Sequence, residues 1–290
     1  MVSWHDERRR SLVFGAAGVL ALLFALTSCS RTKAALPDLS GMGEITVVVR
    51  EEGSGTRDVF GELAHTDQTG STLTATSTEQ VIEAVAGDEN AIGYVAFSAL
   101  DGTKGADVAV LSVEGVECTA KNIASGRYPL ERQYILAYLG EVSELAADFI
   151  AYTKTAGQAV ASRLCTPAHS AARFLSNGEE GSITIAGSSS MQALMEALVE
   201  DYGAYNPNAV IALEVTDSTA GITSAIRGQR DLAMSSRSLK DYEAELLTAV
   251  PIAADGIALI VSAKNPLRAI NLEQLRSIYE GKVTRWGELK

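Results

Sequence analysis

Histidine, cysteine and aromatic residues are scarce in this chain of 290 residues: it has three His and three Cys, and 6% of it is aromatic. His5 lies in an apolar leader, and His65 and His169 each stand alone without a spaced partner, so no metal constellation and no cofactor is expected. No G-x-S-x-G occurs and neither later histidine has a triad context, which argues against a serine hydrolase. The run Gly53-Ser54-Gly55-Thr56-Arg57 lacks the lysine of a phosphate-loop NTPase, so no enzyme is expected. Basic charge is also short, 24 Lys and Arg against 36 Asp and Glu, for a net charge of −12. Such a surface repels nucleic acid and anionic lipid, and any anion site must work by local geometry. No short period repeats, which excludes a solenoid. What remains is 47% hydrophobic and 21% charged, the profile of a folded body and not of a disordered, collagenous or coiled-coil chain. Its length lies where one core tends to divide into two, so two lobes are expected.

Arg8, Arg9 and Arg10 precede an apolar run at 11–26 that is shorter than a comfortable membrane span. It ends in Leu26-Thr27-Ser28-Cys29, which resembles the bacterial lipobox. Residues 1–28 are therefore expected to be a signal peptide, with Cys29 the acylated (palmitate-type) first residue and 29–43 a tether. That expectation describes a lipoprotein on the extracytoplasmic face of the cell membrane; a simple N-terminal membrane anchor is the alternative. Cys118 and Cys165 fall in the exported part, where a disulfide can form, but their spacing does not decide between a bond and two thiols.

Regular structure is expected from Ile45. The β-branched run at 45–49 has the character of a buried parallel strand, and a glycine-rich turn then opens an amphipathic helix. Strands are expected at 91–97, 108–113 and 133–139, and helices at 77–87, with Ser77 and Gln80 in capping-box register, and over 142–164. The stretch at 166–181 reads as a connection. The second half repeats the grammar: strands at 182–187 and 210–215, helices at 188–207 and 217–228, a third strand-turn-helix at 231–247, a long apolar run at 251–262 and a capped helix at 271–281. Alternating strands and helices indicate α/β architecture with mainly parallel sheets.

Four strand-to-helix junctions carry small hydroxyl residues or glycine: Gly53-Ser54-Gly55-Thr56, Gly187-Ser188-Ser189-Ser190, Asp217-Ser218-Thr219-Ala220 and Ser235-Ser236-Arg237. Each start of a helix offers unpaired N–H groups and a partial positive charge, to which Ser and Thr add hydroxyl donors. Plain N-capping accounts for any one of them. Four together, with Arg50 and Arg237 beside them, point to convergence on one oxyanion, which a guanidinium grips with a bidentate fork. Glu51 and Glu52 suit such a site only if the anion carries a proton for a carboxylate to accept.

The segments REEGSGTRDVF, NAIGYV and SGRYPLERQY resemble the second half of phosphate-binding proteins of phosphate ABC transporters. GSITIAGSSSMQALMEAL, AGITSAIRG, DLAMSSRSLKD, PIAADGIALIVSAKNP and LEQLRSIYEGKVTRWGEL resemble their first half. The resemblance implies a two-lobed periplasmic-binding-protein-like (type II) α/β fold with its halves in circularly permuted order. A truncated tandem or misjoined copy needing a partner chain is the other explanation of that order. The resemblance places one lobe at about 44–127 plus 251–290 and the other at 128–250. It implies that inorganic phosphate is held by Arg50, Glu52, Ser54, Gly55, Thr56, Ser188, Ser189, Ser218, Ser236 and Arg237, for delivery by a monomer to the membrane subunits of an ABC transporter. A noncatalytic sensor or a binder of another oxyanion is the competing reading.

Overall fold

The computed structural model describes residues 36–103 and 107–290. The expected signal peptide, the lipidation of Cys29 and the first part of the tether lie outside the described residues.

In chain order, β1 (Thr46–Arg50) turns tightly into α1 (Gly55–Ala64), followed by β2 (Leu73–Ala75), α2 (Thr78–Gly87) and β3 (Ala91–Ala96). A 3-10 segment at Phe97–Thr103 leads towards β4 (Val108–Val110), β5 (Ser112–Val113) and α3 (Ala120–Ala124). Next come β6 (Glu131–Leu139), α4 (Glu144–Thr153), α5 (Gly157–Leu164), β7 (Thr166–Pro167) and β8 (Gly181–Ser188). After a 3-10 turn at Ser189–Met191 follow α6 (Gln192–Tyr205), β9 (Ala209–Thr216), α7 (Ser218–Ile226), β10 (Leu232–Ser235) and α8 (Asp241–Ala244). The chain closes through β11 (Leu247–Ser262), β12 (Ala269–Ile270) and α9 (Leu272–Tyr279).

The strands run β2-β1-β3-β11-β6-β10-β8-β9 through one continuous sheet. Two apolar bodies form on it. One gathers Val47, Val48 and Val49 of β1, Phe60 of α1, Val81 of α2, Ile92 of β3, Ile257 to Val261 of β11, and Trp286. The other gathers Tyr134 and Leu136 of β6, Phe149 of α4, Ile183 and Ile185 of β8, Leu194 and Leu198 of α6, and Val250 and Ile252 of β11. The 16-residue β11 serves both: Leu247 to Gly256 pair with β6, and Ile257 to Val261 then pair with β3. The chain thus crosses between lobes on two adjacent antiparallel strands.

Several expectations need correcting. The sheet is mixed: β1–β2, β1–β3, β8–β9 and β8–β10 are parallel, but β6 and β11 run against their neighbours because they are the crossings. The single helix expected over 142–164 is two, broken where Thr155 turns its hydroxyl back onto the Ala151 carbonyl at 2.6 Å. The strand expected at 108–113 divides between β11 and β12 as partners of β4 and β5. The helix expected after β10 is only the four residues of α8.

The connection after β7 is fastened by Asp148 of α4, a buried carboxylate that accepts from Ser176 Oγ at 2.6 Å, Asn177 N–H at 2.9 Å and the Tyr202 hydroxyl at 2.7 Å. Near the opposite end of the sheet, Glu44 bridges Arg285 and the Ile45 N–H donates to the Thr284 carbonyl at 2.8 Å, so the segments flanking β1 and following α9 meet. Cys118 and Cys165 are both free and buried, and burial pushes the Cys118 thiol up to about 12. Among the described residues no helix is long and apolar enough to cross a membrane.

Candidate functional site

The four hydroxyl-rich junctions lie at the ends of β1, β8, β9 and β10, where each strand gives way to a turn or helix. After β1, Ser54 N–H returns to the Glu51 carbonyl at 3.3 Å, a turn that holds Gly53 at φ 91, in the left-handed region that glycine tolerates. Ser54 then caps α1, its side chain accepting from Arg57 N–H. After β8, Gly187 sits at φ 144 with its α-carbon against the Met234 carbonyl of β10; a side chain there would run into that carbonyl. This close approach brings Ser188, Ser189 and Ser190 over β10. After β9, Asp217 caps α7 by accepting from Ala220 N–H at 2.8 Å, which leaves Ser218 as the first helical residue.

These junctions meet. Ser188 Oγ donates to Ser236 Oγ at 2.8 Å, and Ser236 N–H donates to Ser218 Oγ at 3.1 Å. A β-carbon on Gly55 would run into Ser218 Oγ and come within 2.8 Å of Ser236 Oγ, so the start of α1 presses on this triplet from the other lobe. Thr56 and Ser190 share a hydroxyl contact of 2.7 Å, and Thr219 N–H reaches across to the Gly53 carbonyl at 3.1 Å. Ser54, Thr56, Ser188, Ser189, Ser218 and Ser236 are all buried. The starts of α1, α2 and α7 and the Ser189–Met191 turn therefore aim N–H groups and hydroxyls into one interlobe cluster, an arrangement that stabilises negative charge.

Both expected arginines join it. Arg50 places Nε and Nη2 on the two oxygens of Glu51 at 2.8 and 2.7 Å, with Nη2 also on Ser189 Oγ at 3.1 Å and Nη1 on Thr78 Oγ1 at 3.3 Å. Arg237 places Nη1 and Nη2 on Glu243 at 2.7 and 2.9 Å and Nη2 on Thr219 Oγ1 at 3.2 Å, and Asp58 stands 3.3 Å from its Nε. Burial alone would weaken the Arg237 cation, but Glu243 and Asp58 hold its proton more firmly than usual.

One expected residue stands outside. Glu52 is exposed and makes no hydrogen bond or ion pair among the described residues, whereas Glu51 lies against Arg50. The reason is local: Glu51 N–H continues the β1 register onto the Ala75 carbonyl, and the turn that follows leaves Glu52 at its outer corner. The residues that sequence reasoning missed are Thr78, Glu243 and a group on the crossing strands, Arg132, Tyr134 and Asp255, while Thr219 stood in an expected junction but outside the expected ligand set. Alternation along Glu131-Arg132-Gln133-Tyr134 places Arg132 and Tyr134 on one strand face, the signal that could have singled them out. Arg132 Nη1 donates to Thr56 Oγ1, and the Tyr134 hydroxyl contacts the Ser190 carbonyl oxygen at 2.9 Å and Asp255 Oδ2 at 2.6 Å.

Comparison with known proteins places this geometry in context. A PBP superfamily domain model matches residues 32–156 and 173–289. The chain is 33% identical over 295 residues to phosphate-binding protein PstS 2 of Streptococcus pneumoniae, covering 97% of this chain and 99% of that relative. To phosphate-binding protein PstS of Bacillus subtilis it is 37% identical over 113 residues, 39% of this chain and 37% of that one. Among solved structures, a phosphate-binding protein of a phosphate ABC transporter from Streptococcus pneumoniae superposes with a TM-score of 0.68 at 33% identity, covering 86% of this chain and all of that one.

Proposed function

The chain belongs to the PBP superfamily, among its phosphate-binding members, and from that premise we propose that it binds inorganic phosphate between its lobes and hands it to the membrane subunits of an ABC transporter. The observation that carries this reading is the interlobe cluster of buried hydroxyls and helix starts, with two buried arginines at its edge. Arg50, Ser54, Gly55, Thr56, Ser188, Ser189, Ser218, Ser236 and Arg237 form the pocket wall, and Glu51 takes the place of Glu52 as the nearest carboxylate. The protein works as a binder and not as a catalyst. The order of its segments is shared with the pneumococcal relative over nearly the whole of both chains, whereas the match to the Bacillus protein spans a single stretch of 113 residues, 39% of this chain. Together with the meeting of Glu44 and Arg285, this supports a working circular permutation over a misjoined copy. Calorimetry of residues 30–290 should give one phosphate per monomer, with sulfate and molybdate at least tenfold weaker. Tighter sulfate or molybdate binding would assign the site to another oxyanion.

Delivery to a transporter needs the protein held at the membrane. In our reading residues 1–28 are removed and Cys29 carries the lipid; one acyl chain anchors only marginally, so more than one is required. Cys29→Ala is expected to move the protein from the membrane fraction to the medium, or to leave it unprocessed. Unchanged processing and membrane attachment in that variant would rule out the lipid anchor.

A further inference from the structure

Three arginines are buried where the strands converge: Arg50 at 2% exposure, Arg132 at 4% and Arg237 at 4%. Two of them are neutralised within the protein, since Glu51 faces the fork of Arg50 and Glu243 that of Arg237, each with both oxygens. Arg132 differs. Its Nη1 meets the Thr56 hydroxyl and its Nη2 the Tyr134 hydroxyl at 3.2 Å, with no carboxylate on its fork; its Nε, like that of Arg237, has no hydrogen-bond partner among the described residues.

Asp255 is the carboxylate nearest to Arg132, 3.9 Å from Nη2 and outside hydrogen-bond range. Its oxygens are engaged elsewhere, by Ser98 N–H and Ser98 Oγ, each at 3.1 Å, and by the Tyr134 hydroxyl at 2.6 Å. Counting protons decides its charge. The Tyr134 hydroxyl has one proton, yet it lies within 2.9 Å of two oxygens, Asp255 Oδ2 and the Ser190 carbonyl. If Asp255 were ionised, one of those contacts would set acceptor against acceptor. If Asp255 keeps its proton, it donates to Tyr134, which donates to Ser190 while accepting from Arg132, and every contact is served. Burial pushes the Asp255 carboxyl above the usual range, against the pull of Arg132. The other groups around it are Tyr134 from β6, Ser98, and the thiols of Cys118 and Cys165, none of them charged. Arg132 is therefore a buried cation whose nearest carboxylate stands 3.9 Å away and is pushed by burial towards its neutral form, with the Tyr134 ring 5.1 Å from the guanidinium, and such a charge is costly unless a ligand of opposite sign supplies the balance.

We infer that Arg132 is a third guanidinium of the anion site, and the one whose charge the bound phosphate itself neutralises. The inference rests on the phosphate reading above. Arg132 is one hydroxyl removed from the cluster, since the Thr56 oxygen it meets also touches Ser190 Oγ at 2.7 Å. It also lines an open cleft of about 710 Å³ between α1 and the segment after β10, in which the cations Arg132, Arg237 and Lys240 stand with the carboxylates Asp58, Glu62 and Glu131.

The test compares phosphate titrations of the wild type, Arg132→Met and Arg132→Lys with melting curves of the same proteins without phosphate. Arg132→Met is expected to bind roughly 100-fold more weakly, and Arg132→Lys, which keeps the charge but loses the fork, about tenfold more weakly. Removing an unbalanced buried cation should leave the phosphate-free Arg132→Met protein at least as heat-stable as the wild type, which a purely structural arginine would not do. Infrared spectra at pH 7 should show a protonated-carboxyl C=O band that disappears in Asp255→Asn. If the wild type binds phosphate and Arg132→Met binds it equally well, or if no such band exists, the inference is overturned. A wild type that does not bind phosphate overturns the functional reading instead.

Discussion

In Gly55→Ala, phosphate binding is expected to weaken by about two orders of magnitude or more, while the phosphate-free protein melts within about two degrees of wild type. Gly55 opens α1 in one lobe, and a β-carbon there collides with Ser218 Oγ and approaches Ser236 Oγ in the other. Those serines cannot turn aside freely, because Ser236 N–H and Ser188 Oγ hold them in a fixed chain of hydrogen bonds and both are fully buried. Relief requires the lobes to part, which separates the donors that the anion needs at once. Nothing within the lobe itself is strained, and alanine at a helical position is favoured over glycine by about 1 kcal/mol. The contrast is Gly187→Ala, where the collision is with the Met234 carbonyl inside a single sheet and the backbone is at φ 144, so the open and closed forms suffer alike. Calorimetry and small-angle scattering with and without phosphate measure the first variant. Wild-type affinity together with wild-type compaction would show that the α1 start does not form the closed wall.

The separation between lobes in that argument depends on features of unequal legibility in the sequence. The α/β class was legible because strands such as β1 and β3 are apolar on both faces, which only a covered sheet requires. The hydroxyl-rich junctions were legible because capping chemistry and anion binding call for the same small residues at the same helix starts. Partnership was not legible. Arg237 and Glu243 are brought together by the turn into α8, and Arg50 chose Glu51 over Glu52 through the register of β1 on β2, which no local pattern announces. The start of β11 at Leu247 was missed because Leu247-Thr248-Ala249-Val250 alternates weakly, and its pairing with β6 fixes it as strand. Arg132, Tyr134 and Asp255 read as ordinary strand residues; only the crossing of β6 and β11 makes them neighbours.

The same choice between two glutamates yields the second large effect: Glu51→Gln is expected to shift the phosphate-to-sulfate preference about tenfold towards sulfate, and Glu52→Gln to change it less than about twofold. Phosphate near neutral pH carries a proton and can donate a hydrogen bond, whereas sulfate can only accept. A carboxylate at the edge of the site therefore accepts a hydrogen bond from the first and none from the second. Glu51 is held there by Arg50, which itself reaches Ser189 of the cluster, and its side chain is only 18% exposed. At pH 8 both anions are dianions and Glu51 repels them alike, so the discrimination comes from the hydrogen bond that the phosphate P–OH donates to the carboxylate, about 1.5 kcal/mol or about tenfold in relative affinity. Glu52 points to solvent, where screening removes most of such an effect. Arg50→Ala carries the argument one step further. It deletes a charge-assisted donor worth about 1.5 to 3 kcal/mol and also leaves Glu51 unpaired beside the anion, so phosphate binding should fall by about 100-fold. Adding Glu51→Gln to that variant should recover part of the loss, because the unpaired carboxylate is then gone. Paired titrations with phosphate and sulfate at pH 8 measure all four proteins. A preference that moves with Glu52→Gln and not with Glu51→Gln would return the acceptor role to Glu52, and would mean that the turn after β1 rearranges when the anion binds.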